Sequence, residues 1–126
     1  MTSQHDIANL FDHTRFIELR EAVLDLFDRQ APDADIAAQL GELLQHIQQQ
    51  FAREERAMET AQFPPSAAHK RDHDRALADF SERIAQWRQE GDMANLLDYI
   101  EAGLADWFVR HVNTRDYITA RHLAMK

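Results

Sequence analysis

The chain carries histidines and an acid at positions where apolar side chains would be expected. His13, Glu54 and His111 each lie in line with an apolar stripe at helical spacing, and so do His69 and His73 in the segment "HKRDH". A single inward-facing histidine is usually a hydrogen-bonded core residue. A buried carboxylate without a partner is costly, however, so Glu54 needs a partner nearby. Because the chain has no Cys, any metal must be held by nitrogen and oxygen ligands.

The positions of these residues along the chain predict that they meet. His13 lies near the start of a first predicted helix, and Glu54 near the end of a second. His69 and His73 lie near the start of a third helix, and His111 near the end of a fourth. In an antiparallel bundle these four places share one end, and residues four apart on a helix can hold one ion. We therefore predict a metal centre, for which Fe, Mn or Zn is better suited than Mg or Ca.

Asp116 extends this set of ligands, although it follows His111 by five residues. In an unbroken α-helix this offset turns the two side chains about 140° apart. The chain is therefore predicted to break near "NTRD", with Thr114 as the N-cap of a short last helix that folds Asp116 back over the site. Such a set exceeds the three or four ligands of a single zinc ion. It fits two metals bridged by carboxylates.

Three short turns separate the helices that must position these residues. They are "RQAPDAD" (29–35), "TAQFPPSA" (60–67) and "QEGDMAN" (89–95), and they contain all three prolines. Short connections imply antiparallel neighbours, so the predicted fold is all-α: an up-down-up-down four-helix bundle with a short C-terminal helix. A step of about 100° per residue gives each helix an apolar stripe for the core. The stripes are Leu10, Phe16, Ile17, Val23, Leu24 and Phe27; Ile36, Leu40, Leu43, Ile47, Phe51 and Met58; Ala76, Phe80, Ile84 and Trp87; and Leu96, Ile100, Leu104, Trp107 and Phe108.

The composition fits one domain over residues 1–126 and narrows the choice of partners. A net charge of −8, with Lys and Arg scattered among acids, argues against nucleic acid and anionic membrane surfaces. No apolar run reaches the length of a membrane span, and the first residues lack the features of a signal peptide. We therefore expect a cytoplasmic protein with no direct membrane insertion.

At this point the motifs resemble those of the hemerythrin family, specifically the bacterial hemerythrin-like proteins. The resemblance covers nearly the whole chain. The matching segments, in order, are "DHTRFIEL" (12–19), "QFAREERAM" (50–58, similar to H-F-x-x-E-E-x-x-M), "FP" (63–64), "HKRDH" (69–73) and "WFVRHVNTRD" (107–116, similar to W-L-x-x-H-I-x-x-x-D). A ferritin-like di-iron site is not supported, because the chain contains no Glu-x-x-His.

The resemblance implies a non-haem di-iron centre with a bridging oxo or hydroxo group, which binds O2 reversibly and small anions such as azide. One iron would be held by His69, His73 and His111. The other would be held by His13 and the residue at position 50. The carboxylates of Glu54 and Asp116 would bridge the two irons.

Gln50 departs from the family pattern, which has a histidine at this position. Its amide could ligate iron weakly through oxygen or hold an iron-bound water. His46, one turn earlier, is expected to line a channel or support the ligands, because helical side chains lean toward the N-terminus and away from Glu54. Phe51 and Trp107 are expected to pack in the core and to wall the O2 pocket. With one imidazole fewer, the site is predicted to serve O2 or redox sensing better than O2 storage.

Three functions stay open at this stage. The leading one is a di-iron O2-binding or regulatory domain that is not itself an enzyme. Because family members also occur attached to signalling domains such as diguanylate cyclases, a fused output domain is a candidate partner. The second is a di-iron oxidase or peroxidase, and the third is a metal-free helical interaction module.

Overall fold

A computed structural model of the protein describes residues 13–62 and 66–124, and every regular element within those ranges is helical. The elements are α1 (Thr14–Asp28), α2 (Asp33–Thr60), α3 (Ser66–Glu90), α4 (Met93–Asp98), a first π-helical turn (Tyr99–Gly103), α5 (Leu104–His111), a second π-helical turn (Val112–Asp116) and α6 (Tyr117–Ala124). The elements from α4 to α6 follow one another without a gap and form the fourth helical segment. Leu10 and the "FP" segment lie outside the described residues.

The turns between the helices have clear local causes. Gln30 and Gln62, with φ of 54° and 53°, end α1 and α2 in the left-handed region. Gly91 does the same after α3 with φ of 71°, a conformation that glycine adopts without steric cost. The next helix then begins at once, because the Asp92 side chain accepts a 3.0 Å hydrogen bond from the Asn95 backbone N–H.

The helices pack in a ring, each against the next in sequence, with the first π-helical turn returning against α1. Together with the short reversing turns, this confirms the predicted four-helix bundle. The predicted stripes form most of its core, with Val23, Leu43, Leu96 and Ile100 fully buried. The prediction that Ile17 lies in the core is wrong, since this residue is 46% exposed. The inward face of α1 runs through Phe16 and Leu19, so a residue at position 17 is turned about 100° away from it.

The fourth helical segment does not break near Thr114 as predicted. Residues 112–116 form a π-helical turn that joins α5 directly to α6, so Thr114 is not an N-cap. A π turn pairs residues i and i+5, and it therefore returns Asp116 to the face occupied by His111. The predicted position of the carboxylate is right, and the predicted backbone is wrong.

The first π-helical turn is held from a neighbouring helix. Arg20 on α1 donates from Nε to the Ile100 carbonyl and from Nη2 to the Glu101 carbonyl, each at 2.9 Å. At Gly103 a Cβ atom would lie 3.0 Å from Cδ1 of Tyr99. The first π-helical turn therefore depends on the close approach of Tyr99 to Gly103 and on the hydrogen bonds that Arg20 donates from α1.

None of the helices in the described ranges is long and apolar enough to cross a lipid bilayer.

Candidate metal centre

Three imidazoles meet at one end of the bundle. His69 and His73 come from the first turns of α3, and His111 is the last residue of α5. The Nε2 atom of His111 lies 2.9 Å from that of His69 and 3.1 Å from that of His73. Neighbouring donors bound at about 2.1 Å to one ion also lie about 3 Å apart. The three nitrogen atoms therefore have the spacing of ligands to one metal.

The partners of the outer nitrogens fix two of the tautomers. His73 Nδ1 lies 3.0 Å from a carboxylate oxygen of Glu55, which only accepts, so this nitrogen carries the proton. His69 Nδ1 lies 2.9 Å from the Thr119 hydroxyl, whose own proton is directed to the sulfur of Met58. When these imidazoles are neutral, as metal ligands are, both Nε2 atoms have a lone pair facing the cluster. Such outer partners orient metal-binding histidines in general.

Two aromatic side chains fix the planes of the imidazoles. The Phe51 ring stacks on His73 with centroids 3.7 Å apart and an interplanar angle of 3°. Trp107 stacks on His111 at 4.6 Å and 13°. The predicted wall residues thus contact ligand candidates directly, and they restrict rotation of both rings.

The two oxygens of each buried carboxylate, Asp116 and Glu54, face different groups. Asp116 Oδ1 lies 2.9 Å from His111 Nε2 and 3.2 Å from His69 Nε2, whereas its Oδ2 lies 3.3 Å from His13 Nε2. Glu54 Oε1 lies 3.3 Å from His73 Nε2, and its Oε2 accepts a 3.1 Å hydrogen bond from the Gln50 amide. One oxygen of each carboxylate therefore faces the three imidazoles, and the other faces His13 or Gln50.

The donor set fits a metal ion. Glu54, His69, His73, His111 and Asp116 each offer one atom within 4.8 Å of all the others, and all five are buried. Despite the short N···O distances, Glu54 Oε1 and both Asp116 oxygens accept no hydrogen bond of acceptable geometry from residues 13–62 and 66–124. A buried carboxylate oxygen that accepts no hydrogen bond destabilises the folded protein unless a cation lies nearby. His13 joins from the edge, where 15% of its side chain is exposed and its ring packs edge-on against Phe108.

The carboxylates and imidazoles also shift one another's pKa. Burial raises the pKa of Glu54, but contacts with His69 and His73 outweigh burial and leave this pKa below its ordinary value. Burial likewise opposes ionisation of Asp116, yet His111, His13 and His69 hold the pKa of this carboxyl far below its usual range. Burial lowers the pKa of His69, and its contacts with Asp116 and Glu54 more than reverse this and raise it to about 8. Positive charge inside the cluster is therefore strongly favoured.

Gln50 is buried beside the cluster, with both ends of its amide occupied. Its oxygen accepts a 2.6 Å hydrogen bond from Arg53 Nη2, while its nitrogen donates to Glu54. The oxygen that the sequence offered as a weak ligand is thus directed to Arg53 in this structure.

A cavity of about 20 Å³ adjoins Gln50, His13 and His46, with apolar walls that include Phe16, Ile47 and Leu104. This volume accommodates about one water-sized molecule. His46 Nε2 is buried and has no hydrogen-bond partner in the part of the chain that the structure describes. Burial and then the positive charge of Arg53 lower the pKa of this imidazole. His46 thus lines the cavity, as the sequence predicted.

Several supporting residues were not predicted from the sequence. Glu55 is half-buried against His73. Thr119 was not considered, although it is fully buried against His69. Asp72 lies 3.9 Å from His111 Nδ1 and is itself paired with Arg115 at 2.8 Å. Thr119 precedes the apolar and fully buried Leu123 by four residues, and this helical spacing is the signal that could have revealed it.

Comparison with known proteins agrees with this arrangement. Residues 10–123 match the family model described as "Hemerythrin HHE cation binding domain". The chain is 33% identical over 121 residues to a bacteriohemerythrin of Ralstonia nicotianae, covering 96% of this chain and 83% of the relative. It is 29% identical over 119 residues to a bacteriohemerythrin of Aquifex aeolicus, covering 93% and 91% respectively. No solved structure gives a significant match.

Proposed function

The chain belongs to the hemerythrin family, and from this premise we propose that it binds two iron ions and acts as an O2 or redox sensor. The family establishes a cation-binding domain. The proposal concerns which ion, how many, and for what purpose.

The two-sided arrangement of the carboxylates is the observation that carries the proposal. Asp116 separates His111 on one oxygen from His13 on the other, and Glu54 separates His73 from Gln50 in the same way. Carboxylates arranged like this suit two cations side by side, one near three imidazoles and one near His13. A single ion among the three imidazoles would leave His13 and the outer oxygen of each carboxylate unused.

Each residue has a defined part in the proposed site. His69, His73 and His111 would hold one iron, His13 would hold the other, and the carboxylates of Glu54 and Asp116 would contribute an oxygen to each. Bound iron would supply a reversible redox change and a coordination position for O2. Gln50 would orient Glu54 through its amide nitrogen, since its oxygen is engaged by Arg53.

The surroundings of the proposed site favour a small, weakly polar ligand. The cavity beside His13 has room for about one water-sized molecule and is walled mainly by apolar side chains. Such walls limit the number of water molecules and admit a diatomic molecule or a small linear anion such as azide. His46 Nε2, which has no hydrogen-bond partner among the described residues, is one polar group that a ligand in this cavity would meet.

The missing imidazole supports sensing rather than storage. With Gln50 at this position, the described residues would offer the second iron one imidazole, that of His13, and therefore fewer ligands. The chain's residues would then protect a bound ligand poorly, and the iron would supply a lasting change of redox state. A sensor uses such a change, whereas a store of O2 would be emptied by it.

Iron counting combined with spectra taken with and without azide tests the proposal. We expect about two irons per chain, visible and near-ultraviolet bands of a bridged ferric pair, and a shift of these bands with azide. Fewer than one metal per chain after expression with added iron would favour a helical interaction module. Rapid turnover of peroxide by the iron-loaded protein would favour an oxidase or peroxidase.

A further inference from the structure

Arg53 connects the protein surface to the candidate metal centre. Its side chain is on the exposed face of α2, and Nη2 donates a short 2.6 Å hydrogen bond to the oxygen of buried Gln50. The Gln50 nitrogen donates in turn to Glu54 Oε2 at 3.1 Å. Two hydrogen bonds therefore link an exposed cation to a buried carboxylate.

The chemistry of the three groups allows one orientation of the amide. A guanidinium only donates hydrogen bonds, and an ionised carboxylate only accepts them. Gln50 satisfies both neighbours when its oxygen faces Arg53 and its nitrogen faces Glu54. If the arginine is removed, this pair of bonds no longer fixes which end of the amide faces Glu54.

We propose that Arg53 is a positioning residue of the metal centre, which acts on Glu54 through Gln50. It keeps the amide nitrogen toward the carboxylate and keeps the amide oxygen out of the ligand set. The proposal rests on the proposed function, because it assumes that the cluster binds metal. According to this proposal, Arg53 is exposed and is not a ligand, yet it determines which atom of Gln50 faces the site.

The alternative is that Arg53 affects metal binding only through its positive charge. The chain offers a matched control for this alternative. Arg56 is exposed on the same helix, two residues beyond Glu54, with no side-chain contact to the cluster among the described residues. Removing either guanidinium changes the net charge by one. Only removal of Arg53 breaks the hydrogen bond to Gln50.

The test is a double-mutant cycle with Co2+ as the probe. Arg53→Met, Arg53→Lys and Arg56→Met are made in the wild-type chain, and Arg53→Met is also combined with Gln50→Leu. We expect Arg53→Met to weaken Co2+ binding about tenfold and to alter the Co2+ d–d spectrum, as changes to groups that support ligands do. Arg53→Lys should recover part of the affinity, and Arg56→Met should change it less than about twofold. In the Gln50→Leu background, Arg53→Met should have almost no further effect.

A second measurement does not require metal. In the metal-free protein, the side-chain amide resonances of Gln50 should shift in Arg53→Met and stay in place in Arg56→Met. Equal effects of the two arginine variants, an Arg53 effect that persists without Gln50, or unshifted amide resonances would each overturn the proposal. If the folded wild-type chain binds no Co2+, the proposed metal site itself is refuted, and the role of Arg53 with it.

Discussion

His111 and Asp116 are five residues apart, yet Nε2 of the first lies 2.9 Å from Oδ1 of the second. The π-helical turn between them makes this contact, because it brings residues i and i+5 onto one face. The extra residue in the turn thus places a second carboxylate in the cluster without ending the helix.

Asp116→Asn should remove most of the metal affinity while leaving the bundle folded. The amide retains the size of the side chain but loses the negative charge that faces His13, His69 and His111. We expect at least about a 100-fold loss, since even changes to supporting groups cost about 10- to 100-fold. Metal content after gel filtration measures it. Asp106→Asn, an exposed change on α5, is the control, and equal metal content in the two variants would contradict the assignment.

Gln50→His should lengthen the life of the oxygenated form. It adds an imidazole on the His13 side of the two carboxylates and removes the amide that Arg53 holds. We expect decay to the ferric state to slow by about tenfold or more, as followed in the visible spectrum. Gln49→His, at the exposed neighbouring position, should behave like the wild type. Oxygenated forms of equal lifetime in Gln50→His and wild type would count against the sensing hypothesis.

Phe51→Ala should destabilise the metal-free protein by about 3 to 5 kcal/mol. Phe51 is 7% exposed and stacks on His73, so its removal leaves a cavity and frees that imidazole. Urea unfolding measures the loss. Ile17→Ala, at the exposed position that the sequence assigned to the core, should cost less than about 0.5 kcal/mol. A comparable loss in both variants would disagree with the burial described here.

Arg20→Met should loosen the first π-helical turn. Hydrogen bonds from a charged donor contribute about 1.5 to 3 kcal/mol, and Arg20 makes two of them to the Ile100 and Glu101 carbonyls. Because the bond to Glu101 is exposed, we expect a loss of stability within the range for one such bond, together with faster amide exchange around residues 99–104. Arg15→Met, an exposed change on the same helix, is the control. Unchanged exchange in the Arg20 variant would show that the turn does not depend on this contact.

The metal-free protein should be most stable between about pH 4.5 and pH 6.5. The pKa values of Glu54 and Asp116 are lowered from 4.5 and 3.8, so their contribution is present above these values and is lost as pH falls through the folded pKa. The pKa of His69 is raised from 6.5 to about 8, so its contribution is present below pH 6.5 and is lost as pH rises through 8.

Urea midpoints measured across this pH range test the window. His69→Gln should flatten the decline between pH 6.5 and pH 8, because the titrating imidazole is gone. Metal-loaded protein should show no such decline, since the ligand imidazoles are already neutral. A midpoint for the metal-free wild type that rises between pH 6.5 and pH 8 would refute the assignment to His69.

The sequence was sufficient for the features that depend on local periodicity. The stripe through Ile36, Leu40 and Leu43 repeats at helical spacing, and all three residues are buried. The turns could be located from their prolines and Gly91. Since His69 and His73 interrupt an apolar stripe near the start of one helix, and Glu54 another near its end, antiparallel packing was enough to predict that they meet.

Only the tertiary structure decided which residues on different helices contact one another. It also decided the π-helical turns of the backbone, which such contacts stabilise. Periodicity assumes an α-helix throughout, so it predicted a break before Asp116 where a π-helical turn exists. Periodicity also predicts the direction in which a side chain points, but not the residue that it contacts. It placed Gln50 inward, whereas the side chain of Arg53, folding back one turn, determines which end of the amide faces Glu54. Hydrogen bonds depend on distances of a few tenths of an ångström, which a one-dimensional pattern does not contain.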